Sequence, residues 1–219
     1  MNFDILFEDD QVIVCYKPAG IPAQTSKLGQ QDMASLLKNY LKGGYVAVIH
    51  RLDQPVEGIL VFAKTPFAAK ELNKGLQKEG FGKYYKAILC GVPKESKGIL
   101  EDYLVKDGRT NTSRVCGKEE KEAKKAVLYY EVIENTDEQT LVKVKLDTGR
   151  HHQIRVQMAN MGCPIWGDTK YNTERMQDKR FRQVALCAYR LEFIHPKTKK
   201  KMEFEIEPKG EGFEFFKKP

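Results

Sequence analysis

Three short segments of this chain carry side chains able to do chemistry. The first is His50-Arg51-Leu52-Asp53-Gln54-Pro55-Val56-Glu57-Gly58, set between Tyr45-Val46-Ala47-Val48-Ile49 and Ile59-Leu60-Val61-Phe62-Ala63, two β-branched and aromatic runs that read as buried strands. Pro55 keeps Gln54 out of the helical region and Gly58 permits a turn, so Asp53 sits on a constrained loop between two pieces of core. Reactive groups are often mounted this way, although on this stretch alone an Asx-type turn is the better account of a loop aspartate. The second segment places Tyr85 on a strand. The third, Thr148-Gly149-Arg150-His151-His152-Gln153-Ile154-Arg155, stands at a helix start. There backbone N–H groups beside Arg150 and two histidines make either an anion site or a capped helix with surface charge. No Gly-rich phosphate loop, no His-x-x-x-His and no nucleophile elbow is present, which removes nucleotide hydrolysis, zinc proteolysis and serine hydrolysis from the front rank.

The elements that must position these groups follow from patterning. Residues 5 to 16 predict a hairpin with its turn at Asp9-Asp10-Gln11, and Lys17-Pro18-Ala19-Gly20-Ile21-Pro22 then breaks regular structure as a rigid turn. Met33, Leu36, Leu37, Tyr40 and Leu41 recur at helical spacing. Thr65-Pro66 supplies an N-cap and first-turn proline for a helix through about Glu79, stopped by Gly80. Strands are expected over Phe81 to Cys90, Leu100 to Val105, Val127 to Val132 and Leu141 to Leu146, the last alternating apolar and polar. The charge run Lys118 to Lys125 reads as a solvated connection. Thr148 is expected to cap a helix with Ile154, Met158 and Met161 on its buried face. A hairpin from Val184 to Ile206 ends the pattern, after a basic and aromatic cluster at Asp178-Lys179-Arg180-Phe181-Arg182. Strands surround few helices without a βαβαβ rhythm, so the expected fold is one mixed, mostly antiparallel α+β domain over residues 1–219.

Lys and Arg number 37 against 30 Asp and Glu, a net charge of +7, which points to a polyanionic partner such as RNA. The five cysteines are odd in number, widely spaced and without a Cys-x-x-Cys pair, which argues against a disulfide framework or a zinc site and for a reducing compartment. No signal segment or membrane-length apolar run is seen, so the expectation is a cytoplasmic protein. Without a heptad or an apolar stripe, a monomer is the default.

Taken together the segments resemble the RluA-type RNA pseudouridine synthases. The resemblance is carried by Glu8-Asp9 with Lys17-Pro18-Ala19-Gly20, by His50-Arg51-Leu52-Asp53 with Gly58-Ile59-Leu60-Val61-Phe62-Ala63-Lys64, and by Lys83-x-Tyr85-x-Ala87 with Gly91. It continues in Thr148-Gly149-Arg150-x-His152-Gln153-Ile154-Arg155, Gly162-x-Pro164-Ile165-x-Gly167-Asp168-x-x-Tyr171, and Leu186-x-Ala188-Tyr189-x-Leu191-x-Phe193-x-His195-Pro196. These cover nearly the whole chain in order.

The resemblance implies an isomerase that detaches uracil from its ribose in ribosomal or transfer RNA, turns it and rejoins it through C5. Nothing is consumed, so neither cofactor nor metal is expected. It implies that Asp53 is the essential carboxylate, as nucleophile or base, that Arg155 pairs with it and keeps its pKa low, and that Tyr85 stacks on the target base. Arg51 is expected to act on the RNA as the base flips out, with His50, Arg150, His152, Gln153 and Leu186 lining the substrate site. The chain departs from the family in two places. Pro55-Val56-Glu57-Gly58 replaces a hydroxyl-bearing run and brings Glu57 near a site for RNA, and Leu186-Cys187-Ala188-Tyr189 carries a cysteine, expected to be structural, where a histidine is usual. The S4-type RNA-binding domain found in front of many relatives is expected to be absent. The competing interpretation is a noncatalytic RNA-binding or RNA-folding protein on the same fold, which would not need Asp53, Tyr85 and Arg155 together; a hydrolase using Asp53 ranks lower for want of a partner acid or metal set.

Overall fold

In the computed structural model, which describes residues 3–25, 27–77, 81–172 and 183–216, the elements in chain order are β1 (Ile5–Glu8), β2 (Val12–Lys17), α1 (Met33–Tyr40), β3 (Ala47–Val48), β4 (Glu57–Ala63), α2 (Pro66–Leu76), β5 (Gly82–Cys90), β6 (Lys97–Asp107), β7 (Thr112–Cys116), β8 (Lys124–Asn135), β9 (Gln139–Leu146), α3 (Gln153–Asn160), β10 (Leu186–Ile194) and β11 (Lys201–Glu205). This is the expected mixed sheet with few helices. The residues gather into two compact units, Met1–Lys83 with Cys187–Pro208, and Tyr84–Leu186 with Lys209–Pro219. The basic cluster Asp178 to Arg182 and the stop at Gly80 lie outside the described residues.

In the first unit the strand order is β1-β2-β4-β10, with β11 on β10 and β3 on β4. β4 is buried along its whole length, because it is flanked by strands and both faces are covered; its unbroken apolar run Ile59 to Ala63 follows from that. Val14, Ile59, Val61, Leu72, Leu191 and Phe193 form the core. The expected cap of α2 is present, Thr65 Oγ1 accepting from Ala68 N–H ahead of Pro66, and the Asp32 carboxylate caps α1 by accepting from Ser35 N–H, a role the sequence analysis did not assign.

Gly58 does not make a turn. It lies inside β4 at φ +138°, where β10 runs parallel and Ala188 is its partner, and a Cβ built there would stand 2.5 Å from the Ala188 carbonyl oxygen. Glycine is needed for both the backbone angle and the close approach.

The loop that carries Asp53 is fastened from below by Lys17. This side chain is fully buried at the end of β2, and its Nζ donates to the carbonyls of Ile21 at 2.7 Å, Pro18 at 2.9 Å and Gln54 at 3.3 Å. Gly20 N–H also donates to the Gln54 carbonyl at 2.8 Å, and Gln54 Nε2 returns a bond to the Gly20 carbonyl at 2.9 Å. The Lys17-to-Pro22 turn is therefore tied to the residue following Asp53.

In the second unit the order is β5-β9-β8-β6-β7. β9 alternates as expected, with Val142, Val144 and Leu146 buried and Lys143 and Lys145 exposed. β6 is longer than its apolar run suggests because its hairpin with β7 continues through Asp107↔Thr112, a pairing of polar residues that hydropathy does not mark. The charge run from Lys118 ends two residues early, as Lys124 and Lys125 already pair in β8.

The helix expected from Thr148 begins later. α3 opens at Gln153, with His152 in its cap position at φ 55° and no side-chain cap bond. Gln153 through Met158 are all buried, so this helix lacks the one-sided pattern assigned to it.

Two outcomes follow from this unit-one geometry. Gly58→Ala is expected to destabilise the protein by at least about 2 kcal/mol in urea unfolding, through backbone strain and collision. Burial lowers the Lys17 pKa from 10.5 to about 7, against the opposing attraction of the Asp53 and Glu57 carboxylates. The folded chain thus binds fewer protons than the unfolded chain between those values. Wild-type stability should rise with pH across that window, by at most about 1.4 kcal/mol per pH unit, and Lys17→Met should remove the slope. Parallel pH profiles for the two proteins would contradict this.

Candidate active site

Asp53 is half-buried on the loop between β3 and β4, and its carbonyl accepts from Val56 N–H at 3.0 Å, closing a tight turn. Arg51 is exposed and Leu52 buried, so the chain alternates outward and inward as it approaches the carboxylate. Lys17 lies beneath this turn, where the Asp53 and Glu57 carboxylates favour its charged form against the larger cost of burial. Sequence analysis set Lys17 aside as part of a rigid turn; the missed signal is a lysine in register with the apolar run of β2.

Glu57 is not an exposed negative charge near the RNA site. It is 1% exposed at the start of β4, and the Tyr16 hydroxyl donates to its Oε2 at 2.5 Å. Burial first, then this bond and the carboxylate charge, push the Tyr16 phenol far above its ordinary range.

His50 is also internal. Its Nε2 accepts from Val61 N–H at 3.3 Å and its ring meets Phe81 edge-on at 5.2 Å. Burial, assisted by the Lys83 charge, holds its pKa down at about 3, so the imidazole is neutral. The sequence lists it among substrate contacts; its geometry is that of a core residue anchoring the loop.

In the second unit Tyr85 lies in β5 and is buried, as is Leu186 at the start of β10. Arg155, on α3, is 3% exposed and forms a two-pronged pair with Asp168, Nε to Oδ2 at 2.7 Å and Nη2 to Oδ1 at 2.8 Å. Its guanidinium also lies over the Tyr171 ring, 5.1 Å from the centroid. Asp168 Oδ1 in addition accepts from the backbone N–H groups of Lys170 and Tyr171. The sequence gives Asp168 no role; its signal was the Gly167-Asp168 pair, where Gly167 at φ 77° lets the backbone pass close to the Gln183 carbonyl.

Tyr171 joins α3 to β7. Its hydroxyl accepts from Ser113 N–H at 2.8 Å and shares a hydrogen bond with His152 Nδ1 at 2.7 Å. Burial, with the neighbouring Arg155, His151 and Lys170 charges, lowers the His152 pKa to about 2, so this imidazole is neutral. His151 stacks on His152 with centroids 3.8 Å apart and meets Ser113 Oγ through Nδ1 at 2.9 Å.

Gln153 is spent on the fold. Its Oε1 accepts from Thr148 Oγ1 at 2.8 Å and Arg150 N–H at 2.9 Å, while Nε2 donates to the Val127 carbonyl at 3.1 Å. Thr148 therefore bonds to the Gln153 side chain instead of capping α3. Arg150 is exposed, its Nε donating to the Lys125 carbonyl at 2.8 Å. Of the third segment, Arg150 is thus the side chain turned outward, and His152 and Gln153 position the segment from within.

Residues 11–160 match the family model described as RNA pseudouridylate synthase. Among curated relatives, the chain is similar to ribosomal large subunit pseudouridine synthase D of Vibrio cholerae, 34% identical over 223 residues that cover 93% of this chain and 67% of that protein. It is likewise similar to RNA pseudouridine synthase YlyB of Bacillus subtilis, 33% identical over 216 residues, covering 94% and 69%. It spans about two thirds of the length of these relatives. Among solved structures, human RNA pseudouridylate synthase domain containing 4 superposes with a TM-score of 0.77 at 25% identity, covering 94% of this chain and 89% of that one. Human RNA pseudouridylate synthase domain containing 1 shares the fold, with a TM-score of 0.80. With sequence, fold and relatives in agreement, the chain belongs to the RluA-type RNA pseudouridylate synthase family and is an isomerase acting on uridine in RNA.

Proposed function

We propose that this enzyme converts specific uridines of ribosomal RNA to pseudouridine, using Asp53 as its catalytic carboxylate and acting on a base flipped out of its stack. The observation that carries the reading is the Asp53 loop. The half-buried Asp53 carboxylate stands on a turn whose backbone is fastened by a buried lysine and by the Gly20–Gln54 pair, as a group that must meet one carbon of a sugar or base requires. Ribosomal RNA is favoured over transfer RNA because relatives from several bacteria are named for the large ribosomal subunit; the cytoplasm is then the place of action.

In this mechanism the bond between the ribose C1′ and N1 of uracil breaks, the base turns, C5 joins C1′, the C5 proton leaves to solvent and N1 takes up a proton in its place. Atoms balance without a cofactor. Asp53 serves as nucleophile or base. Tyr85 offers a ring for the extruded base and a hydroxyl for movement of the C5 proton. Arg155 belongs to the same catalytic set, and its pair with Asp168 holds the guanidinium fork in one orientation. Leu186 supplies apolar surface. Arg51, exposed two residues before Asp53, and Arg150 contact the RNA, offsetting the few kcal/mol that base flipping costs. The chain is proposed to work as a monomer, with residues 1–219 serving one catalytic domain.

Tritium release from RNA labelled at uracil C5 tests this. Asp53→Asn should lower the rate by at least about 10³-fold while RNA affinity stays within a few fold, and Tyr85→Phe should lower it by roughly 10²-fold or less. Unimpaired release by Asp53→Asn would overturn the assignment; silence of the wild type on total cellular RNA would favour the noncatalytic binder. Asp168→Ala leaves the Arg155 charge buried without its carboxylate, and is expected to cost roughly 3–5 kcal/mol of stability by urea unfolding.

A further inference from the structure

We propose a second contact site for the RNA backbone, a phosphate-binding cavity formed within the second unit by Lys106, Lys124 and Arg150. It goes beyond the catalytic residues and rests on the reading that the substrate is an RNA chain. A cavity of about 500 Å³ is lined by these three cations with Ser113, Glu122 and His151. Strand register assembles it. Lys106 stands opposite Ser113 in the β6–β7 pairing, and Leu104, two residues earlier on the same face, stands opposite Lys124 in β8. The segment Gly149-Arg150-His151 closes the other side.

Charge pairing separates these cations from their neighbours. Next to the cavity Lys125 is bound to Glu101 at 2.8 Å and Arg114 to Glu120. Lys106, Lys124 and Arg150 pair with no carboxylate among the described residues, although Glu122 lies on the same wall. Three cations against the single Glu122 carboxylate leave the wall net positive, and an anion relieves the remaining repulsion. The anion's geometry is set by the fixed groups. Arg150 Nε is occupied by the Lys125 carbonyl, which orients the guanidinium, and the Ser113 hydroxyl is held by His151 Nδ1 at 2.9 Å. A planar fork flanked by two flexible ammonium groups suits a phosphodiester, and the open, exposed rim suits a chain that passes through.

The test is RNA affinity of the full chain as a function of salt, read by anisotropy of a fluorescein-labelled RNA hairpin with a uridine-rich loop. Lys106→Ala with Lys124→Ala should reduce the slope of log affinity against log salt by about one to two and weaken binding roughly 5–20-fold near physiological salt. Lys106→Arg with Lys124→Arg should keep the wild-type slope, and Glu122→Gln should strengthen binding. Both lysines are exposed, so folding is not at stake in the double variant. Wild-type slope and affinity in the double alanine variant would overturn the proposal. So would a wild type that takes up inorganic phosphate by calorimetry, loses that uptake in the variant, and shows no change in RNA binding, because the cavity would then serve free phosphate alone. A wild type that isomerises no RNA yet loses salt slope on substitution would sink the proposed function and leave this site standing.

Discussion

A primary ammonium group fully enclosed in protein is the constraint on which the rest of the first unit depends. Moving such a charge out of water costs several kcal/mol even after relaxation, and only full hydrogen bonding and nearby carboxylates offset it. Lys17 meets part of that demand with three carbonyl oxygens taken from two separate loops and with the attraction of Asp53 and Glu57, and the remaining cost of burial lowers its pKa to about 7. The same bonds that make its burial tolerable join the Lys17-to-Pro22 turn to Gln54. The position of the Asp53 backbone is thus a consequence of solvating one lysine with protein.

The second unit repeats the principle with the opposite pairing. Arg155 lies on a helix buried from Gln153 through Met158, and Asp168 meets it with both oxygens while using one of them to hold its own turn. Around it Tyr171, His152, Ser113 and His151 pass hydrogen bonds in a line from α3 to β7. A neutral His152 fits this arrangement. Burial first, and then repulsion from the neighbouring Arg155 charge, hold its proton affinity low.

Much of the fold was legible because local chemistry and tertiary role coincide there. Thr65 ahead of Pro66 and an apolar stripe caps α2 as its type dictates, and β9 alternates because one of its faces meets water. The failures occur where tertiary context decides. Thr148 has the type and spacing of a cap, yet the Gln153 amide competes for its hydroxyl and α3 starts five residues later. Gly58 looks like a turn residue, and only the approach of Ala188 reveals its purpose. The resemblance placed His50, His152 and Gln153 at the substrate; all three are buried and bonded within the fold, and one sequence cannot separate a polar contact from an internal strut. Asp53 was recognised only when distant segments were taken together, since its own neighbourhood describes an ordinary turn.

The central claim is that Asp53 converts uridine to pseudouridine at defined positions in cellular RNA. Pseudouridine mapping across all RNA of a strain lacking this gene, complemented with the wild type or with Asp53→Ala, tests it most directly. A discrete set of modified uridines should vanish on deletion, return with the wild type and stay absent with Asp53→Ala. A map unchanged by deletion, or restored by the Asp53→Ala protein, would contradict the account.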